Sequence, residues 1–318
     1  MLYRRHLRIK VLQSLYSWFA GGQEQLPEAE RELLSSINKL YELFINQLSF
    51  LIEVRKFAQD RLEQNKKKFY PTDEDLDPNL KFVNNKVFKL LDANQSFHRL
   101  EETYKIKWSE EHEMIRKFYA ELRETTYYKK YMSNGKLSLE EDKKLMIQIV
   151  DQLLPGFDSL KFYYEEKSIY FVDGYDLVNL LLIKFFETIS KEFSKDTTMP
   201  GVYKEYKNVN EDLAFVKTLF RKTILRDDEG SEIIKARTKN WEYDRIPLMD
   251  IILLKMAIIE LQEMETIPLK VTLNEYIEIA KYFSTANSKV FVNGVLDKLI
   301  SEFKSEGKIN KIGRGLVE

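Results

Sequence analysis

The chain has 318 residues, no cysteine, and 50 Lys and Arg against 51 Asp and Glu, for a formal net charge of −1. Disulfides, thiolate nucleophiles and Cys-ligated zinc are excluded, and any affinity for nucleic acid has to rest on a local patch instead of global charge. With 44% hydrophobic residues but 11 Gly and 7 Pro, the composition favours long helices and a sizeable core, in a chain longer than the common single domain.

Residues 4–19 read as a helix with Val11, Leu12, Leu15, Trp18 and Phe19 on one face, ended by Gly21 and Gly22. No acidic residue precedes Gln23, whereas Arg4, Arg5, Arg8 and Lys10 crowd the start. At about 100° per residue, Arg4 and Arg8 share the azimuth of Leu15 and Phe19. The helix is therefore expected to pack through its second half and to offer Arg4, Arg5 and Arg8 to solvent. Cations in a first turn oppose the helix dipole, a conflict that an anionic ligand relieves.

A second, very long helix is predicted over 27–68, with Leu33, Ile37, Leu40, Phe44, Leu48 and Leu51 at helical spacing. Tyr70 and Pro71 break it, and the acidic stretch to Asp77 and Pro78 reads as a loop. Asp73, Asp75 and Asp77 are spaced like the opening of a calcium loop. Pro78 stands where Gly is required and Asn84 where the bidentate Glu belongs, so calcium binding is rejected. Further helices are expected at 80–97, 110–132, 139–154 and 175–191, with Ser138 and Glu141 as a capping box and 196–201 as a linker. Tyr127, Tyr128, Lys129, Lys130 and Tyr131 interleave rings and cations as single-strand binders do, although a packing role at a helix end is the stronger reading.

Five more helices follow, at 211–225, 231–239, 247–264, 273–283 and 288–303, with Thr272 and Glu275 as another capping box. Gly307 is the expected stop, and the tail beyond it is expected to be loose. His6, His98 and His112 show no metal-ligand spacing, and no Gly-rich phosphate loop precedes a helix, so neither metal nor cofactor is expected. The charged start and the lack of a bilayer-length apolar run lead to the expectation of a soluble cytoplasmic protein.

The C-terminal part carries Trp241 and Arg245, the apolar run from Asp250 to Leu261 with Glu260 in it, then Ile267 and Pro268. Asn274, Glu275, Ala280 and Lys281 come next, followed by Phe291, Val292, Asn293, Gly294 and Asp297. In this order and spacing the segments resemble the NusB family of transcription antitermination proteins, and Arg4 and Arg5 leading to Tyr16 and Trp18 resemble that family's first helix. The resemblance implies an all-α fold: a NusB-like helical bundle formed by 1–22 with 206–306, an inserted helical subdomain at 23–205, and a flexible tail at 307–318. Leu177, Leu181 and Phe185, like the apolar face of the long helix, require the insertion to be folded.

The resemblance further implies a non-enzymatic protein that binds boxA-type single-stranded RNA with NusE, a ribosomal protein, in the RNA polymerase antitermination complex during ribosomal RNA synthesis. RNA contacts are expected at Arg4, Arg5, Arg8 and Lys10, and at the turn Asn287, Ser288 and Lys289, where helix-start amides also attract phosphate. The simpler reading of Asn287 or Ser288 is an N-cap. Tyr16, Asp250 and Phe291 are expected to dock NusE, with Asp250 where the family more often has Glu, and with ordinary core aromatics as the plain reading of Tyr16 and Phe291. The competing expectation is a ribosome-assembly or scaffold protein whose insertion is the main binding module. Ribosomal RNA cytosine methyltransferases with a NusB-like domain need a nucleophilic cysteine, which is absent here.

Overall fold

Helix α1 (Arg4–Gly21) stops where Gly22 takes a φ of 65°, a left-handed conformation that other residues adopt at a steric cost. Next comes α2 (Leu26–Lys66), which buries Leu33, Ile37, Leu40, Phe44, Leu48 and Leu51 as their spacing requires. This computed structural model describes residues 2–22, 25–203, 210–238 and 242–316. Trp241, Lys239 and Asn208 lie outside them. The described residues are helical without a strand, and they fall into two units: Met1–Ile37 with Val202–Glu318, and Asn38–Gly201.

In the second unit α2 is followed by α3 (Asp73–Leu76), α4 (Lys86–Asp92), α5 (Gln95–Thr103), α6 (His112–Glu124) and α7 (Thr126–Ser133). Then come α8 (Leu139–Gln148), α9 (Asp158–Lys167), α10 (Ile169–Val172) and α11 (Tyr175–Thr188). Rings from α2 organise the core: Phe44 meets Phe185 at 5.6 Å, Phe50 meets Phe118 at 5.0 Å, and Phe57 meets Tyr119 at 5.9 Å. Two expected helices are each split by a cap. Asn94 accepts from the Phe97 amide at 2.8 Å and Thr125 from the Tyr128 amide at 3.3 Å, and each starts a new helix. Ser138 caps α8 by accepting from the Glu141 amide at 3.2 Å. After Gln148 the backbone widens into a π turn, Ile149–Leu153, and ends in a 3-10 turn, Leu154–Gly156, because Pro155 has no amide to continue the ladder.

Of the Tyr127 to Tyr131 segment, Tyr128 and Tyr131 belong to this core, and Lys129 and Lys130 are exposed. Tyr128 and Tyr131 are buried, and the Tyr131 hydroxyl donates to Asp142 at 2.5 Å. The Lys81 ammonium sits 4.3 Å from the Tyr131 ring centroid and donates to the Tyr131 carbonyl at 2.7 Å.

The first unit continues with α12 (Glu211–Leu225), α13 (Asp227–Arg237), α14 (Leu248–Glu263), α15 (Leu269–Phe283) and α16 (Ser288–Ser305). Every residue of α14 from Asp250 to Leu261 is buried, the mark of a central helix, and α1, α12, α13, α15 and α16 pack around it. The expected cap at Thr272 is a correction: α15 starts at Leu269, directly after Pro268, and the Thr272 hydroxyl donates instead to Glu260 at 2.8 Å. The tail expected to be loose folds back through Leu316. Lys311 donates to the Met264 carbonyl at 2.8 Å and the Ile312 amide to the Glu265 carbonyl at 3.1 Å, satisfying groups left open at the end of α14.

Candidate nucleic-acid arm and partner cleft

The cations of α1 divide. Arg8 is 2% exposed and Lys10 6%, so the expectation that the first turns face solvent is corrected for both. For Arg8 the reason is Glu260, whose carboxylate is fully buried on α14. Arg8 grips it with two parallel bonds, Nε to Oε2 at 2.7 Å and Nη2 to Oε1 at 2.6 Å. Thr272 and the Tyr276 hydroxyl, at 3.1 Å, also donate to it. Burial pulls the Arg8 pKa down, but the Glu260 charge and its hydrogen bonds more than compensate, leaving it raised. Burial and then the Glu260 charge push Tyr276 far up, so its phenol stays a donor. Buried ion pairs persist when every remaining lone pair is satisfied in this way. A signal was present in the sequence: Glu260 stands in the apolar run at the end of α14 and needs a cation once buried, and Arg8 stands on the apolar azimuth of α1.

Arg4 and Arg5 stay at the surface. Arg5 is exposed and bonds both oxygens of Glu275, at 2.9 and 2.8 Å. Arg4 is half-buried and donates to Asp212 at 3.2 Å and Glu211 at 3.4 Å. In the turn before α16, Asn287 and Lys289 are exposed whereas Ser288 is buried. Asn287 occupies the N-cap position without a side-chain cap bond, and Ser288 is held inside by accepting from the Thr285 amide at 3.2 Å.

Four of the expected residues converge on one cleft of about 520 Å³: Asp250, Asn287, Ser288 and Phe291 line it, flanked by Ile246, Pro247, Val290 and Val295. Tyr16 is 43% exposed on α1 and is not part of the lining. Asp250 is 2% exposed. It accepts from the Ser288 hydroxyl at 2.6 Å through Oδ2, and its Oδ1 has no hydrogen-bond partner. Arg237, absent from the expectations, lines the same cleft. Its Nη1 donates to the Ile233 carbonyl at 2.9 Å and its Nη2 pairs with Glu302, while the buried Nε has no partner. Two residues lining the cleft thus carry an unused acceptor and an unused donor, both buried beneath its surface. A basic residue ending a helix is explained by the dipole alone, so Arg237 carried no signal in the sequence.

Residues 178–301 match the model of the NusB family. Transcription antitermination protein NusB of Salinibacter ruber is 46% identical over 103 residues, 32% of this chain and 64% of that relative. The protein of that name from Chloroherpeton thalassium is 46% identical over 85 residues, 27% of this chain and 40% of the relative. Its namesake in Clostridium botulinum is 35% identical over 127 residues, which are 39% of this chain and 81% of the relative. The chain belongs to the NusB family. It spans less than two thirds of the Salinibacter and Chloroherpeton relatives. No solved structure matches it. The NusB match begins at 178, inside α11 and ahead of the expected boundary at 206, and it contains the whole cleft lining. Among the described residues no helix is long and apolar enough to cross a membrane.

Proposed function

We propose that this protein is a transcription antitermination factor that acts by binding, not catalysis: it holds boxA-type single-stranded RNA and docks NusE in the RNA polymerase complex that transcribes ribosomal RNA. The observation that carries the reading is the cleft of α13, α14 and α16, with its unpaired Asp250 Oδ1 and Arg237 Nε, built within the stretch that matches relatives named for antitermination. A segment of NusE fills this cleft against Phe291 and supplies an N–H to Asp250, and Tyr16 extends the docking face along α1. RNA phosphates meet Arg4, Arg5, Asn287 and Lys289. Arginine suits the task because its planar fork serves a phosphate as readily as the carboxylate of Glu275. Arg8, Lys10 and Ser288 hold the scaffold beneath.

The test is calorimetry with NusE and with boxA-type RNA in turn. Phe291→Ala and Asp250→Ala are expected to weaken NusE at least tenfold, equivalent to about 1.4 kcal/mol, with RNA binding by the isolated chain retained. Arg5→Ala combined with Lys289→Ala is expected to weaken RNA and to make the log–log salt slope shallower by about 1.4, at about 0.7 per phosphate contact on a single strand. NusE affinity equal to wild type in both cleft variants sinks the docking reading, and an unchanged salt slope sinks the RNA face.

A further inference from the structure

At the end of α2 the chain runs Lys66, Lys67, Lys68, Phe69, Tyr70. Phe69 is 88% and Tyr70 83% exposed, more than any other large apolar side chain among the described residues. Their rings meet edge to face with centroids 4.6 Å apart, which leaves one ring with both faces uncovered and the other with one. The two rings belong to a turn pinned on both sides. Behind them the Lys67 and Lys68 amides donate to the carbonyls of Gln64 at 3.0 Å and Asn65 at 3.2 Å. Ahead, the Asp75 amide donates to Thr72 Oγ1 at 3.2 Å and the Thr72 amide to Asp75 Oδ2 at 3.1 Å. Lys68 ties the two ends together by donating to both Asp75 oxygens at 3.2 Å. This staple occupies Lys68 and Asp75. Lys66 and Lys67 remain exposed, with no ion-pair partner among the described residues.

Two unneutralised ammonium groups beside uncovered ring faces match the chemistry of a single strand, with phosphate for the cation and base for the ring. A base stacks on one flat face and needs no enclosing pocket, whereas an apolar peptide anchor does. We infer that Lys66, Lys67, Phe69 and Tyr70 form a further contact for single-stranded RNA, tolerant of sequence and made by residues outside the 178–301 match. Lysine is a point charge and every base has a ring face, so the patch adds affinity without reading sequence. The acidic residues Asp73, Glu74 and Asp77 that follow bound the patch to about two bases, one per ring.

The experiment uses the full chain and a short fluorescein-labelled oligouridine that lacks boxA. Phe69→Ala with Tyr70→Ala is expected to lower affinity at least about thirtyfold, the lower end for two stacked bases. Lys66→Gln with Lys67→Gln is expected to make the salt slope shallower by about 1.4. The exposed positions leave the thermal melt of both variants at the wild-type value, and a 4-thiouridine oligomer is expected to cross-link at Phe69 or Tyr70. In the Arg5→Ala, Lys289→Ala variant that cross-link persists, so failure of the proposed RNA face and failure of this patch read out separately. Oligouridine affinity unchanged in both double variants overturns the inference. Binding to phosphatidylcholine–phosphatidylserine vesicles that the ring variant abolishes, with RNA binding intact, overturns it as well by making the patch a lipid contact.

Discussion

The two units solve the same packing problem with different chemistry. Around α14 the first unit is organised by charge: Arg8 with Glu260, Lys255 with Asp227, Ser288 with Asp250, and Arg237 with Glu302. Around α2 the second is organised by rings, with Phe50, Trp108, Phe118 and Phe157 joined through Tyr163 to Tyr164, Phe171 and Tyr175. Edge-to-face rings tolerate small shifts and exchange one apolar neighbour for another. A bidentate ion pair does not, because a carboxylate left alone in the interior has no substitute for its donors. The first unit therefore gains a fixed register of α1, α14 and α15, and its polar side chains are held in place where the cleft needs them. Its ion pair contributes little net stability compared with an apolar alternative, so its effect is on geometry more than on the depth of the folded state.

This contrast breaks most visibly at Glu260. Replacing it with Ala leaves the Arg8 guanidinium only the longer pair with Glu275 at 3.7 Å and takes the Glu260 acceptor from the Thr272 and Tyr276 hydroxyls, at an expected cost of about 3–5 kcal/mol in urea denaturation. Arg8→Ala is expected to cost a similar amount, and the double variant much less than the sum, because the stranded charge is then gone. Loss of protection in hydrogen exchange should centre on α1, α14 and α15. A loss below about 1 kcal/mol in either single variant would contradict the charge-organised core.

The matching probe in the second unit is Phe118, whose ring meets Phe50 and Phe157 at 5.0 Å each. Phe118→Ala is expected to cost about 3 kcal/mol through the cavity it leaves. Phe118→Leu should recover most of that, costing about 1.5 kcal/mol or less, since a core of rings accepts another apolar shape. Equal losses for Ala and Leu would show that the ring cluster is as intolerant as the ion pair.

The same contrast explains what could be read from the chain alone. Helices α1, α2, α14 and α16 announce themselves by long apolar spacing with Gly or Pro at an end, and α12 by its apolar spacing alone. The breaks at Asn94 and Thr125 do not, because a cap inside a periodic run looks like an ordinary surface position. Asn94 is fixed further by donating to the carbonyls of Ser194 at 3.0 Å and Thr197 at 2.8 Å, partners remote in sequence. Helices α9 and α10 escaped because short elements give periodicity too few turns to show. At the site, Asp250, Ser288 and Phe291 were visible through the family pattern and do share a cleft. Arg8 shares an apolar azimuth of α1, and what buries it there is its counter-charge, Glu260, which lies 252 residues away on α14. The unused donor of Arg237 is a property of what surrounds it, and residue identity carries no trace of that.

The smallest expected effect tests His98, whose ring lies 5.8 Å from that of Phe97. His98 lies between Glu101, 2.9 Å from Nδ1, and the Asp92 carbonyl, 2.7 Å from Nε2. A carbonyl only accepts, so Nε2 carries a proton, and a carboxylate at Nδ1 favours a second proton there. Burial pulls the His98 pKa down, but the Asp92 carbonyl and Glu101 outweigh it, and the pKa is raised above the usual 6.5. The charged form is thus the one the fold prefers. Its stabilisation is complete below the unfolded pKa and disappears as pH rises through the higher folded value. The imidazole is 45% exposed, so solvent screening keeps the effect below about 1 kcal/mol. Glu101 also accepts from Ser49 at 2.5 Å, and Ser49 accepts from the Trp108 indole at 3.0 Å, so three hydrogen bonds connect His98 to a buried ring. Denaturation midpoints measured from pH 5.5 to 8.5 are expected to fall slightly across the upper part of that range in wild type, and to lose that component in His98→Gln. An NMR titration should put the His98 midpoint above 6.5. A midpoint at or below 6.5 would mean that burial wins, reversing the sign.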